Sequence, residues 1–342
     1  MADKPKVTIV CTAFNHERYI RQTLDGFVMQ KTDFPFIVLV SDDASTDRTA
    51  EIIHEYEVKY PEIIRPVYMK ENQYNKGIAC ADVLFNMVDS EYAAWCEGDD
   101  FWIDENKLQM QVDFMDAHPD YSLCAHAAYT CYEDGVFMEG MFRPFTEDKT
   151  VTTEEAMSAW RFSTASLFYR TSMRPEIPAP FQGNAPSSDY STVVYLALNG
   201  KVHYIDRPMC VYRRNSVSSL SRMNAGSQDR TLRTLEGLCA LADRIDAYSA
   251  QKYTQALRVF KAGCEYNRLM LLNDRKEIKG SPYTDLFSKG QKLRLAIKPW
   301  LKWLMPLREA VRHRRAPAIH QKCREAMKTM PYDNIVLLDT MK

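Results

Sequence analysis

The chain has 342 residues, 46% hydrophobic and 26% charged, enough for one domain of about 200 to 220 residues and an appended segment. A formal net charge of -1 gives no global pull toward a polyanion, so no nucleic-acid partner is expected. Lys and Arg nevertheless crowd between Lys289 and Arg324.

The nine cysteines form no C-x-x-C pair, and Cys124 and Cys131 are too widely spaced for a zinc knuckle. Cys11 and Cys96 sit inside apolar runs, so the set reads as free thiols of a reducing compartment. The start M-A-D-K-P-K carries no apolar leader, and no uncharged apolar run approaches the ~20 residues of a membrane span. A cytoplasmic protein, soluble or peripheral on the inner membrane face, is expected.

In chain order, Val7 to Thr12 is a short β-branched run, the pattern of a strand buried on both faces of a parallel sheet. Ile20, Leu24, Phe27 and Val28 make the apolar stripe of a helix that breaks near Lys31 to Pro35. Phe36 to Val40 predicts the second strand. Asp42-Asp43-Ala44-Ser45-Thr46-Asp47 then supplies turn and cap residues, and Ala50, Ile53, Tyr56 and Tyr60 mark a helix closed by Pro61. A weaker strand near Pro66 to Met69, a helix near Ile78 to Val88 and a strand Tyr92 to Cys96 continue the series, followed by a helix with Leu108, Val112 and Met115. Such β–α alternation predicts a mainly parallel sheet with helices on both faces and ligands beyond the strands' carboxyl ends. Tyr121 to Cys131 is extended. Glu133 to Gly183 reads as acceptor-side loops on a mixed sheet, with a capping box at Thr152 and Glu155 and a strand around Ser163 to Tyr169. A helix from Ser188 to Asn199, a strand from Lys201 to Tyr212 and helices beyond Ser227 complete the chain.

The chemistry-bearing groups fall at predicted strand ends. Glu97, Asp99 and Asp100 put three carboxylates within four residues, which repel unless a cation sits among them. Mg²⁺ or Mn²⁺, held by one or two carboxylates with phosphate oxygens and water, would relieve that repulsion and grip a diphosphate; Gly98 would allow the tight turn. A solvated acidic turn fits the same residues. Asp42 and Asp43 suit either turn capping or acceptance of a nucleobase N–H, with Phe14 offering its flat face to the base. Asp189 opens a helix, where a carboxylate either caps or takes a proton from an attacking hydroxyl. Arg213 and Arg214 fit phosphate or solvent.

In order and spacing, T-A-F-N-H-E-R-Y-I, D-D-A-S-T-D, E-N-x-x-N-K-G at Glu71 to Gly77, E-G-D-D-F-W with K-L-Q-M-Q, and S-S-D with Y-R-R-N resemble the blocks of bacterial family 2 glycosyltransferases over Lys6 to Ser219. The resemblance implies a GT-A fold with a helical C-terminal extension, residues 1–220 catalytic and 221–342 appended. It implies an inverting, metal-dependent transfer from a UDP-sugar or similar donor, with Asp189 as base and Mn²⁺ or Mg²⁺ on Asp99, Asp100 and Glu97. The donor-binding set it implies is Thr12, Phe14, Asn15, Asp42, Asp43, Lys76, Asp99 and Arg213. Glu97 stands where such proteins commonly carry Asp, and Asn215 where they often carry His.

From Lys289 to Arg315 cations mix with Leu, Ile, Trp and Met, divided by Pro299 and Pro306. This basic amphipathic stretch suits either an anionic membrane surface beside glycan or lipid-linked acceptors, or packing on the domain. A nucleotidyltransferase is disfavoured because the N-terminal region lacks a Gly- and Lys-rich phosphate loop, and a dehydrogenase because no G-x-G occurs. A non-catalytic membrane adaptor remains the alternative of another class.

Overall fold

The run Val7 to Ala13 (β1) is buried along almost its whole length, with Val7, Ile9 and Cys11 in one core and Val10 in another. That alternation is the pleat, and burial on both sides is why the run shows no polar face in the sequence. The structure, a computed structural model, describes residues 4–173, 178, 181, 188–214, 216 and 226–297, with isolated positions 318, 321 and 325.

β1 lies between β2 (Phe36–Asp42) and β4 (Tyr92–Glu97), parallel to both, and β3 (Ile64–Tyr68) extends the parallel part outward. Pro66 is tolerated in β3 because this strand is an edge. β5 (Phe101–Trp102), β6 (Tyr121–Cys131), β7 (Phe137–Phe142), β8 (Lys149–Val151), β9 (Phe168–Arg170) and β10 (Lys201–Arg213) complete a ten-stranded sheet of order β3-β2-β1-β4-β9-β6-β10-β5, with β7 on β6 and β8 on β10. β6 and β10 are parallel, whereas β5, β7, β8 and β9 pair antiparallel, so the second half is mixed.

Helices cover both faces. α1 (Ile20–Val28), α2 (Thr49–Lys59) and α4 (Lys107–Ala117) bury Leu24, Phe27, Ile53, Leu108 and Val112 against one face. α3 (Cys80–Phe85), α5 (Thr153–Ser158) and α6 (Ser188–Asn199) bury Leu84, Phe85, Ala156 and Leu196 against the other. α7 (Gln228–Tyr248) and α8 (Thr254–Leu272) then pack Leu238, Leu241 and Phe260 on Met157, Tyr190 and Val194 of α5 and α6. α9 (Arg275–Gly280) and α10 (Lys289–Ile297) follow, with Leu295 buried beside Leu269 and Phe287. Among the described residues no helix is long and apolar enough to cross a membrane.

Several local expectations change. The helix expected over Ile78 to Val88 is confined to Cys80–Phe85, because Ala79 is extended and the chain turns after Phe85. A 3₁₀ turn, Tyr74–Lys76, precedes it and ends at Gly77. The strand expected over Ser163 to Tyr169 begins only at Phe168, since Thr164–Ser166 forms a 3₁₀ turn and only Phe168–Arg170 reaches the ladders of β4 and β6. Within the stretch 133–183, expected as loops on a mixed sheet with a capping box and one strand, the described residues form β7, β8, α5 and β9. The capping box forms in both halves: Glu155 N–H donates to Thr152 Oγ1 at 3.2 Å, and Thr152 N–H to Glu155 Oε2 at 3.0 Å. The expected boundary at 220/221, Asn215 and the basic stretch 298–315 lie outside the described residues.

Candidate active site

The parallel register aligns Ala13 with Asp42 and Thr12 with Glu97, so three strands release their functional residues at one level. β10 arrives antiparallel to β5, pairing Val211 with Phe101, and so carries Arg213 to the acidic turn that precedes β5. These long-range pairings assemble the site.

Glu97 is half-buried at the end of β4, and its carboxyl is pushed up to about 8 by burial first and then by the charges of Asp99 and Asp189. The expected acid and base positions therefore share one electrostatic field. Asp99 is buried, and its Oδ2 accepts from Ser216 Oγ. Asp100 is 1% exposed; its Oδ1 accepts the Arg213 N–H at 2.7 Å, and its Oδ2 has no partner among the described residues. Burial, with Asp99 and Glu97 adding, holds the Asp100 carboxyl well above the carboxylate range. Gly98 has no left-handed backbone; it is needed because a Cβ there would sit 2.9 Å from His16 Nδ1 and 3.0 Å from Ala13 Cβ.

On the expected donor side, Thr12 and Phe14 are half-buried around the end of β1. Asp42 is buried, with Oδ2 accepting Ser45 N–H at 3.2 Å and Oδ1 without a partner among the described residues; burial raises its pKa. Asp43 is buried beside it and grips the following loop: Oδ1 accepts Gln73 N–H at 2.6 Å and Oδ2 accepts Tyr74 N–H at 3.2 Å. Asn15, in the left-handed region at φ 54, accepts Thr46 N–H at 2.8 Å and so staples the β1 loop to the β2 loop. Lys76 is exposed and paired with Glu71.

Asp189 opens α6 and is 9% exposed. Its Oδ2 accepts from Thr164 Oγ1 at 3.2 Å and its Oδ1 from Tyr190 N–H at 2.8 Å, which fixes the carboxylate.

Two of the expected site residues are engaged within the protein. Asp100 Oδ1 is turned onto the β10 main chain while Oδ2 has no partner among the described residues, where no three His, Cys, Asp or Glu side chains form a preformed metal cluster. The Arg213 guanidinium, expected toward phosphate, is buried and bonded to Asp99 O, Gln22 Oε1 and the Tyr132 and Glu133 carbonyls. Glu97 and Asp99 together still fit a hard divalent cation by donor chemistry: both offer oxygen, and Mg²⁺-type sites need only one or two protein carboxylates. Glu97's raised pKa is the strain that such a cation would relieve.

Three further residues shape the site without having been singled out. Thr23 and Gln22 of α1 lie under the acidic turn, and His16 is buried against Gly98 with Nδ1 unpartnered among the described residues; burial lowers its pKa. The only sequence signal for them is their place in the block running from Thr12 into α1.

The family model for glycosyl transferase family 2 matches residues 8–220. An uncharacterized protein of Mycobacterium tuberculosis is 37% identical over 213 residues, covering 61% of this chain and 59% of that protein's own length. Among solved structures, the mannosyltransferase PcManGT of Pyrobaculum calidifontis, in complex with GDP-Man and Mn²⁺, has a TM-score of 0.56 at 16% identity, covering 94% of this chain and 87% of that one. Staphylococcus aureus TarS 1-349, in complex with UDP-GlcNAc, has a TM-score of 0.52 at 15% identity, covering 94% and 92%. At these identities the likeness is one of fold.

Proposed function

We propose, from the premise that this chain belongs to glycosyl transferase family 2, that it transfers a sugar with inversion from a UDP-sugar to an acceptor hydroxyl in cell-surface polysaccharide or glycolipid assembly. The observation that best supports the reading is the carboxylate grouping at the strand ends: Asp99 and Asp189 both add to the charge that raises Glu97, and Asp189 is held by Thr164 and Tyr190. TarS and PcManGT, bound to a nucleotide sugar on the same fold, support the donor class.

In this reading the base lies beside Thr12 and Phe14, while Asp43 shapes the donor loop from Gln73 to Lys76. Glu97 and Asp99 would hold Mn²⁺ or Mg²⁺, which supplies positive charge to the diphosphate. The acceptor oxygen attacks the anomeric carbon as the bond to the diphosphate oxygen breaks, and UDP leaves on the opposite side. Asp189 accepts the hydroxyl proton; its orientation by Thr164 and Tyr190 keeps a lone pair aimed without reorganisation. The acceptor lies against the stretch 133–183. The basic stretch 289–315 meets an anionic membrane carrying lipid-linked acceptors; α10, its described start, exposes Leu293 and Ile297 while burying Leu295.

Thermal-shift titration with UDP-sugars and GDP-mannose, each with and without Mn²⁺, tests this. A UDP-sugar that raises the melting temperature only with metal is the expected result. Failure of every nucleotide sugar at millimolar concentration would overturn the reading.

A further inference from the structure

The acidic turn is seated by side chains from two distant elements. Thr23 Oγ1 lies 2.9 Å from Gly98 O and 2.6 Å from Asp100 O, so its single O–H is shared between them, and Arg213 Nε donates to Asp99 O at 2.9 Å. Arg213 N–H also binds Asp100 Oδ1 at 2.7 Å. The same guanidinium donates through Nη2 to Gln22 Oε1 at 2.8 Å and through Nη1 to Glu133 O at 3.2 Å and Tyr132 O at 3.4 Å. It lies over the Tyr19 and Phe101 rings, 4.8 and 5.4 Å from their centroids, and the residue is 4% exposed. A planar fork can satisfy acceptors in several directions at once, whereas an ammonium on a flexible stem cannot.

We propose that Arg213 is a positioning residue that locks the Gly98–Asp100 turn, on the donor side, to the Tyr132–Glu133 turn at the root of the acceptor side, using α1 as the platform. Gly26 shows how close that platform lies: a Cβ there would be 2.8 Å from Trp102 O and 2.9 Å from Trp102 N. Donor and acceptor halves are thereby held in one register through a single buried cation. The kinetic consequence rests on the transferase reading; the structural one does not.

The test uses the full chain and Arg213→Lys, with Gln22→Ala as a second variant that loosens the same guanidinium from α1. Amide hydrogen exchange, read without ligand, is expected to accelerate about tenfold or more in peptides covering 97–103 and 132–137, while the β1 peptide 7–13 stays protected. In parallel, UDP binding is titrated with Mn²⁺: the metal midpoint and the donor KM rise by about tenfold or more, the scale of one lost charge-assisted bond, with kcat less affected. A role in stability alone would lower the folded fraction and leave midpoint and KM unchanged. Wild-type exchange in both variants overturns the proposal. If Arg213→Lys unfolds, shown by exchange of peptide 7–13, Gln22→Ala decides by the same readouts. If the wild type binds no nucleotide with metal, the transferase reading fails, and the exchange data alone decide the seat.

Discussion

Tyr190 lies flat on Phe260, with ring centroids 4.2 Å apart and planes within 7° of parallel. Tyr190 is the neighbour of Asp189, its hydroxyl donates to Met157 O at 2.6 Å, and Phe260 belongs to α8. The helical hairpin beyond the sheet thus abuts the residue next to the proposed base. Phe260→Ala is expected to cost about 3 to 5 kcal/mol of stability, as a buried aromatic truncation, and to lower kcat more than it raises donor KM. Urea unfolding and steady-state kinetics check both; unchanged stability would show that the hairpin does not brace α6.

Asp189→Asn keeps an acceptor for Tyr190 N–H but cannot take a proton. Turnover, measured as UDP release with acceptor present, should fall by about 10² to 10⁴. The melting temperature should move little because shape is preserved. Retained turnover would remove Asp189 from the reaction.

Asp43 binds two loop amides, so Asp43→Asn places an NH₂ or a neutral oxygen where a carboxylate accepted both. Loss of one charge-assisted bond is worth about 1.5 to 3 kcal/mol. The loop from Gln73 to Lys76 should loosen and donor KM rise by about tenfold or more, with kcat at saturating donor nearly intact. Equal KM in variant and wild type would detach that loop from donor binding.

Lys107 is fully buried, with Nζ 3.8 Å from the Trp102 ring centroid and 2.7 Å from Gln111 Oε1, and burial lowers its pKa to about 8. An unfolded lysine keeps its proton up to its ordinary value of about 10.4. Between these values the unfolded state binds more protons, so this group's contribution to stability rises with pH. Below pH 8 the full penalty of the buried charge is present. Lys107→Met should therefore gain on the wild type at pH 7, and that advantage should shrink by roughly 3 kcal/mol by pH 10. Denaturant midpoints of both proteins across this range decide it; a pH-independent difference would show that Lys107 is not desolvated.

Much of the first half of the fold is legible because its strands are buried on both faces. Val7 to Thr12 and Phe36 to Val40 appear as unbroken apolar runs between turn residues, and the acids that follow them mark the strand ends. The second half is less legible: β5 has two residues, β8 and β9 three each, and such segments are strands only because β10, β6 and β4 offer them ladders.

At the site, residue type and order along the chain, together with the family resemblance, single out Glu97, Asp99, Asp43 and Asp189 as candidates: three end or follow buried strands and Asp189 opens α6. What each side chain binds was decided by tertiary structure. Arg213 stands 113 residues from Asp100 and 191 from Gln22 in sequence, and only the meeting of β10 with β5 and α1 brings it to these partners. Local sequence dictates what a segment can offer; the acceptors a buried cation finds depend on which segments the packed sheet brings against it.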